Sequence, residues 1–132
     1  MFAPGYFDMI WASPVCTEYS RALTRRPRKL EDGDRLAIRA LEIIRDLQPR
    51  FWAIENPQTG LLKTRPFMLG LPWVDVTYCQ YGFSYKKTTR IWRNFPWTPE
   101  RPVCRKGFRC SLSVNSGRHP MTAQRGDCFR GQ

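Results

Sequence analysis

The chain has 132 residues, with 22 Lys and Arg against 11 Asp and Glu, and a formal net charge of +11. This length suits one domain with its own core, and the charge predicts a polyanionic partner, most often nucleic acid. No apolar run reaches the ~18 residues that a membrane span needs. The first residues have no basic start followed by an apolar core, so we expect no signal peptide there. Five cysteines, an odd number, favour a reducing compartment over a disulfide scaffold.

The first two predicted strands are apolar runs that lead into reactive residues. Residues 6–12 predict a short buried strand that Ser13-Pro14 ends, and Cys16 follows directly. Residues 50–54 predict a second strand, and Glu55-Asn56-Pro57 follow it directly. Because strands of an open α/β sheet present their last residues at the carboxyl edge, we expect the thiol and the carboxylate to meet there. Such a pair suits covalent attack on an electron-poor ring whose nitrogen is held by the acid.

A polar loop over residues 17–33 and a helix are expected between these strands. Asp34 is the predicted N-cap of a helix that runs to about Gln48 and is ended by Pro49. Its predicted buried face consists of Leu36, Ala40, Ile43, Ile44 and Leu47. The basic residues of the loop are candidates for contact with a nucleic-acid backbone: Arg21, Arg25, Arg26, Arg28 and Lys29.

The second half of the chain predicts further strands and then an irregular segment. A short helix is expected over residues 59–67, a third strand over 74–80 and an edge strand over 89–92. This order predicts a mostly parallel α/β sheet. From residue 95 onward, prolines, glycines and scattered cysteines predict an appendage, so we expect a domain over residues 1–94 and a basic appendage over 95–132.

Each candidate site residue has an ordinary alternative role. Cys16 would be a buried structural thiol, as most unpaired cysteines are. Glu55 would cap the next helix or pair with an arginine. The basic, aromatic stretch over residues 81–92 would be an ordinary strand edge rather than a surface for phosphates and bases.

The order of these phrases resembles the catalytic half of the DNA cytosine-5 methyltransferases. That family has a Pro-Cys motif, a Glu-Asn motif after the next strand, and a Tyr-Gly turn leading into a basic motif. Pro14-Val15-Cys16, Glu55-Asn56 and the stretch from Tyr81-Gly82 to Arg90 match them in order. Compact phage- and virus-type members are the most similar, because Thr17-Glu18-Tyr19-Ser20 and Tyr78-Cys79-Gln80-Tyr81-Gly82 also agree with them. The resemblance covers roughly residues 6–94.

The resemblance implies a partial Rossmann-like class I methyltransferase sheet, S-adenosylmethionine as the cofactor and DNA as the partner. Cys16 would attack C6 of a cytosine flipped out of the duplex, because that atom cannot be reached inside the stack. Glu55 would hold N3, and Arg90 or Lys87 would contact the base O2 or phosphates. The cofactor would be bound by Ser13, Pro14 and Asn56, and DNA by the basic loop with Lys86 and Lys87. The implied location is the cytoplasm of a bacterial or phage-infected cell.

Two departures from the family leave other functions open. Val15 stands where the family usually has proline, and no Phe-x-Gly-x-Gly cofactor phrase occurs. A second chain would then supply that half of the cofactor site. Alternatively, the chain would be a non-catalytic nucleic-acid-binding protein on a degenerate methyltransferase scaffold. Methylation of an exocyclic amino group is less favoured, because Cys16 replaces the aromatic residue which that chemistry uses.

The appendage holds a possible zinc set, Cys104, Cys110, His119 and Cys128. Three thiols and one imidazole are a donor set that tetrahedral Zn²⁺ accepts. The intervening lengths of five, eight and eight residues match no tight knuckle pattern. The alternative is a group of unrelated thiols.

Overall fold

The fold is known from a computed structural model, which describes residues 2–111, 119 and 121–122. One helix, α1, covers Leu30–Leu47. The strands are β1 (Met9–Ala12), β2 (Phe51–Pro57), β3 (Trp73–Thr77), β4 (Tyr85–Lys86), β5 (Thr88–Arg93) and β6 (Met121–Thr122). Short 3-10 turns cover Thr17–Tyr19, Leu62–Thr64, Pro66–Met68 and Tyr78–Tyr81.

The main sheet has four strands in the order β1-β2-β5-β3. Strand β1 pairs parallel with β2, whereas β5 pairs antiparallel with both β2 and β3. The α/β class is therefore confirmed, but the prediction of a mostly parallel sheet with β5 at its edge is wrong. Ile91 and Trp92 of β5 are buried on opposite faces, which is the burial that a central strand receives. Strands β4 and β6 form a separate parallel pair.

Helix α1 begins four residues before the predicted N-cap. Lys29 occupies the cap position without a capping side chain, and Glu31 and Asp32 complement the helix dipole in the first turn. The predicted end is confirmed, because Gln48 adopts a left-handed conformation at φ 44° and closes the helix.

The buried face of α1 also differs from the predicted one. Gly33, Ala37 and Ile44 are buried, whereas Leu36 is 50% exposed. The reason is a tertiary contact: the Tyr19 ring packs so closely on Gly33 that an added Cβ would lie 2.9 Å from Cζ of Tyr19. That contact turns the Gly33 side of the helix inward.

Several element boundaries depart from their predictions. Strand β2 continues through Pro57, so Glu55 and Asn56 lie within the strand and not beyond it. Strand β3 ends at Thr77, because the chain turns into the 3-10 segment Tyr78–Tyr81, which Gly82 closes at φ 98°. The helix expected over residues 59–67 is instead two 3-10 turns.

Two apolar clusters cover the two faces of the main sheet. The larger one lies under α1 and includes Tyr19, Ile54 and Trp92. The smaller one lies on the other face and contains Ala53, Val76 and Ile91. In the described ranges, no helix is both long enough and apolar enough to cross a membrane.

Candidate functional site

Cys16 lies just beyond β1, at the start of the 3-10 turn Thr17–Tyr19. It is half-buried, and its carbonyl accepts a hydrogen bond from the Tyr19 amide at 3.0 Å. Before it, the Trp11 indole donates to Ser13 Oγ at 3.0 Å. The thiol is thus placed at the carboxyl end of β1 on a turn with defined geometry, as a nucleophile would need.

Asn56 joins the two predicted motifs. Its side chain is buried, and Nδ2 donates to the carbonyl of Pro14 at 2.9 Å. The register favours this bond, because Ala12 of β1 lies opposite Ile54 and both strands run in the same direction. The segment leading to Cys16 is therefore held against β2, the strand that also carries Glu55.

Glu55 faces the other side of the sheet from Asn56, because successive strand residues alternate between the faces. It pairs with Ile91 of β5 and is half-buried. Burial raises the pKa of Tyr78, and the negative charge of Glu55 adds to that rise. Tyr78 therefore lies near Glu55, a proximity that no motif in the sequence indicated.

Arg90 lies opposite Asn56 on β5 and shares its face. Its guanidinium bonds to both carboxylate oxygens of Asp75, at 2.8 and 3.1 Å, and lies 3.6 Å from the ring centroid of Trp73. The structure thus brings together the Cys16 segment and Asn56, and it places Arg90 in an ion pair on the face opposite Glu55.

The predicted pair Lys86 and Lys87 occupies two different environments. Lys86 is exposed on β4. Lys87 is half-buried, and its ammonium lies 5.6 Å from the ring centroid of Tyr78. Tyr78 also lies near Glu55. Through the Tyr78 ring, Lys87 is thus the predicted cation that lies toward the Glu55 carboxylate.

Lys63, which the sequence did not single out, lies near two cations that it did. Its pKa is lowered by burial first, and then by the positive charges of Arg90 and Arg21. Because Arg90 is paired with Asp75, Lys63 and Arg21 are the members of this group that suit contact with phosphate. The sequence signal was weak, because Lys63 is a lone cation in a 3-10 turn.

The basic loop is held by a carboxylate of its own. Glu18 pairs with Arg26 and accepts a bond from the Lys29 amide at 2.7 Å, and these bonds lower its pKa to about 2. Arg28 donates to the Ser20 carbonyl at 2.7 Å. Of the five cations predicted to contact DNA from the loop, three have exposed side chains that take no part in these bonds: Arg21, Arg25 and Lys29.

Tyr19 connects the same loop to α1 through a hydrogen bond. Its hydroxyl donates to Asp34 at 2.7 Å, and Arg65 donates two bonds from Nε and one from Nη2 to the same carboxylate, at 2.6–3.1 Å. Burial opposes ionisation of Asp34, but the bonds from Arg65 and Tyr19 prevail and lower its pKa. Asp34, predicted as a helix cap, is the centre of this network instead.

Three residues of the predicted zinc set lie together, and a fourth residue that was not predicted joins them. Cys79, Cys104, Cys110 and His119 place their ligand atoms within 4.8 Å of one another. Cys128 of the predicted set lies outside the described residues. Burial and the neighbouring Cys110 and Cys104 raise the pKa of the Cys79 thiol to about 12, and burial lowers the pKa of His119. Sequence spacing missed Cys79, because it belongs to the Tyr-Cys-Gln-Tyr-Gly phrase before the appendage.

Comparison with known proteins connects the chain to a viral protein. It is 38% identical over 103 aligned residues to a protein of Frog virus 3 (isolate Goorha) that is named a probable DNA (cytosine-5)-methyltransferase. The alignment takes in 67% of this chain and 47% of the relative, so the match spans about half of the relative's length. No family model matches. The resemblance to a compact viral member of that family is confirmed.

Proposed function

We propose that this chain forms the catalytic edge of an S-adenosylmethionine-dependent DNA (cytosine-5) methyltransferase. The observation that carries the proposal is the Asn56–Pro14 bond, which holds the Cys16 segment against the strand of Glu55. It does so in a chain similar to a viral relative named for this activity. The parallel β1–α1–β2 unit supports a Rossmann-like class I methyltransferase sheet, because such units build doubly wound sheets.

In the proposed reaction, Cys16 is the nucleophile and Glu55 the acid. The Cys16 thiolate adds to C6 of a flipped cytosine while Glu55 protonates N3, and C5 thereby gains nucleophilic character. S-adenosylmethionine would supply the electrophilic methyl group to C5, with S-adenosylhomocysteine as the leaving group. Loss of the C5 proton to a base then lets the Cys16 sulfur leave as thiolate, and N3 returns its proton to Glu55, which restores the neutral aromatic ring.

Asn56 is the residue whose environment best fits the cofactor. Its Oδ1 is buried and has no hydrogen-bond donor among the described residues, so it can accept a bond from a bound molecule. The carbonyl of Pro14 is already used by Asn56 Nδ2. Pro14 therefore positions the segment, while Asn56 and the exposed Ser13 offer polar atoms to the cofactor.

The glycine-rich part of the cofactor site would come from further protein, such as a second chain, that pairs along β1. The described residues leave the outer edge of β1 without a neighbouring strand, and Met9 and Trp11 are exposed there. An exposed edge of this kind is a template for strand addition. The relative has about twice the length of the matched part, which leaves room for the rest of such a sheet.

DNA is the proposed partner, and its phosphates would lie along the exposed cations of the loop and Lys63. Lys87 lies near Tyr78 and Glu55 and would contact the base or its phosphate. Arg90 would act as a positioning residue, because its guanidinium is held by Asp75 and Trp73.

Adduct formation with DNA that contains 5-azacytosine tests the proposal, since this ring retains a thiolate added at C6. We expect a denaturation-resistant adduct with the full chain, with and without S-adenosylmethionine. It should vanish in Cys16→Ser and form about 10²- to 10⁴-fold more slowly in Glu55→Gln. Cys128→Ser is the matched control and should form the adduct at the normal rate.

The absent glycine-rich phrase favours a second function, that of a non-catalytic nucleic-acid-binding protein. Under it, the chain binds DNA but forms no adduct, and Cys16→Ser binds as tightly as the parent. An adduct that survives Cys16→Ser would instead refute the role of this thiol.

A further inference from the structure

We propose that Cys79, Cys104, Cys110 and His119 bind a structural Zn²⁺ ion, which fastens the basic appendage to the end of β3. The distances fit a tetrahedral site: His119 Nε2 lies 3.6 Å from Cys104 Sγ and 3.3 Å from Cys110 Sγ. Zn–S bonds of about 2.3 Å and Zn–N bonds of about 2.0 Å give tetrahedral edges of roughly 3.5 Å between sulfur and nitrogen. All four ligand atoms lie within 4.8 Å of one another.

The donor set selects zinc and a structural role. Three thiolates and one imidazole are a borderline-soft set that suits Zn²⁺, and four protein ligands leave no open position for a water or substrate. Binding requires that the three thiols release their protons, so the occupied site carries one net negative charge. The many cations of the appendage compensate this charge, among them Arg101, Arg105 and Lys106.

The backbone between Cys104 and Cys110 forms a tight turn that brings the two thiols to the same place. Arg105 and Phe108 form a two-way backbone bridge, and Gly107 takes the positive φ of 91° that this tight turn requires. The amide of Cys110 also donates to Cys104 Sγ at 3.5 Å. Amides that point at a ligating sulfur stabilise the thiolate and orient it.

The site joins the appendage to the turn after β3. The Arg101 guanidinium donates to the Gln80 carbonyl at 2.6 Å, and the Gln80 side chain donates to the Phe108 carbonyl at 2.8 Å. The amide of Cys104 donates to Thr77 Oγ1 at 3.2 Å. Cys79 lies in the middle of this contact, as the one proposed ligand from the predicted 1–94 domain.

The segment needs such an ion, because it has almost no apolar core. Over residues 101–111, the buried residues are the two cysteines, Cys104 and Cys110. Segments this poor in buried hydrocarbon are commonly held by a metal or by disulfides. Zinc would thus fix the basic side chains of the segment in one arrangement relative to Lys86 and the sheet.

Metal analysis of the full chain, purified in reducing buffer without chelators, tests the proposal without DNA or cofactor. We expect one Zn²⁺ per chain. After exchange into Co²⁺, we expect the intense visible bands of a tetrahedral ion and a thiolate charge-transfer band. Cys79→Ser should lose most of the bound metal, whereas Cys128→Ser should retain one ion per chain with the parent spectrum.

His119→Cys is a second test for the case in which Cys79→Ser does not fold. It keeps four zinc ligands, because four thiolates also bind zinc. It should retain one Zn²⁺, and its Co²⁺ charge-transfer band should grow by about a third, since four thiolates replace three. A chain that takes up neither Zn²⁺ nor Co²⁺ would overturn the proposal. So would loss of the metal in Cys128→Ser with retention in Cys79→Ser, or a Cys104–Cys110 disulfide that persists in the reduced protein.

Discussion

At the scale of single residues, Asn56 performs two tasks with one side chain. Its Nδ2 joins β2 to a segment 42 residues earlier, and its Oδ1 stays available inside the site. We expect Asn56→Ala to lower the free energy of unfolding by about 1–3 kcal/mol, because the half-buried Pro14 carbonyl loses its donor. It should also slow adduct formation by Cys16. Urea denaturation and the 5-azacytosine assay measure the two effects.

Asn94→Ala is the matched control for that experiment. Asn94 Oδ1 accepts a bond from the Trp52 amide at 2.8 Å, near the other end of β2. Its removal should lower the free energy of unfolding and leave the rate of adduct formation by Cys16 unchanged. Equal slowing by both substitutions would show that Asn56 has no particular role in placing the nucleophile.

Glu18 makes the order of the basic loop depend on pH. Its pKa is lowered to about 2, through the bonds from Arg26 and Lys29, from an ordinary value of 4.5. Since the folded pKa is the lower one, its contribution is complete above about pH 4.5 and is lost as the pH falls toward 2. Glu18→Gln should therefore remove, at pH 7, the stabilisation of the loop that the parent chain loses in acid.

Amide hydrogen exchange over residues 17–29 checks this expectation. We expect faster exchange in Glu18→Gln than in the parent at pH 7, after correction for the intrinsic rates, and a smaller difference at pH 3. Glu100→Gln, at an exposed position outside the loop, should leave the exchange of residues 17–29 unchanged. Equal protection in parent and Glu18→Gln at pH 7 would contradict the assigned role.

At the scale of elements, the contact between Tyr19 and Gly33 fixes how the loop sits on α1. Replacing a helical glycine with alanine ordinarily stabilises a protein by about 1 kcal/mol. Here the new Cβ would lie 2.9 Å from the Tyr19 ring, and overpacking of this kind costs about 1–3 kcal/mol. We therefore expect Gly33→Ala to lower the urea midpoint of unfolding.

A double-mutant cycle identifies the cause of that loss. In a Tyr19→Leu background the ring is absent, so Gly33→Ala should become neutral or stabilising. If Gly33→Ala destabilised both backgrounds equally, the cause would lie in the helix itself and not in the contact with Tyr19.

The sequence predicted the local features of this fold and missed the non-local ones. The end of α1 and the two strands before the candidate site follow from Pro49 and from apolar runs, which are local signals. The central place of β5 depends on pairing with strands distant in the chain, which its own residues do not encode. The inward face of α1 was missed for the same reason, since Tyr19 selects it.

The candidate site shows the same division. The phrases around Cys16 and Glu55 were visible as motifs, but the bond that connects them requires the register of β1 on β2. Cys79 was passed over because its partners are 25 or more residues away. The partner of Arg90 was equally hidden, because Asp75 meets it only through the pairing of β3 with β5.

At the scale of the whole molecule, the charge of +11 predicts strongly salt-dependent DNA binding. Each phosphate neutralised adds about −0.9 to the slope of log K against log salt. Contact through Arg21, Arg25, Lys29, Lys63 and Lys87 would give a slope of roughly −4 to −5. Fluorescence anisotropy with duplex DNA over a salt series measures it.

Lys63→Ala should weaken binding and reduce the magnitude of that slope by about 1. Arg39→Ala is the control, because Arg39 is exposed on α1 and pairs with Glu42. It should change neither the slope nor the affinity beyond the small effect of net charge. An unchanged slope in Lys63→Ala would place the phosphates elsewhere.

The strand order has a consequence for synthesis on the ribosome. Strand β3 lies between β2 and β5 in the chain, but it pairs only with β5 in the main sheet. While residues 73–87 emerge, β3 has no partner, and the free side of β2 stays open. Arrival of β5 then allows both of these ladders to form, so two of the three ladders of the main sheet form late. Until that step, a nascent chain exposes strand edges and depends on chaperones or fast elongation to avoid pairing with others.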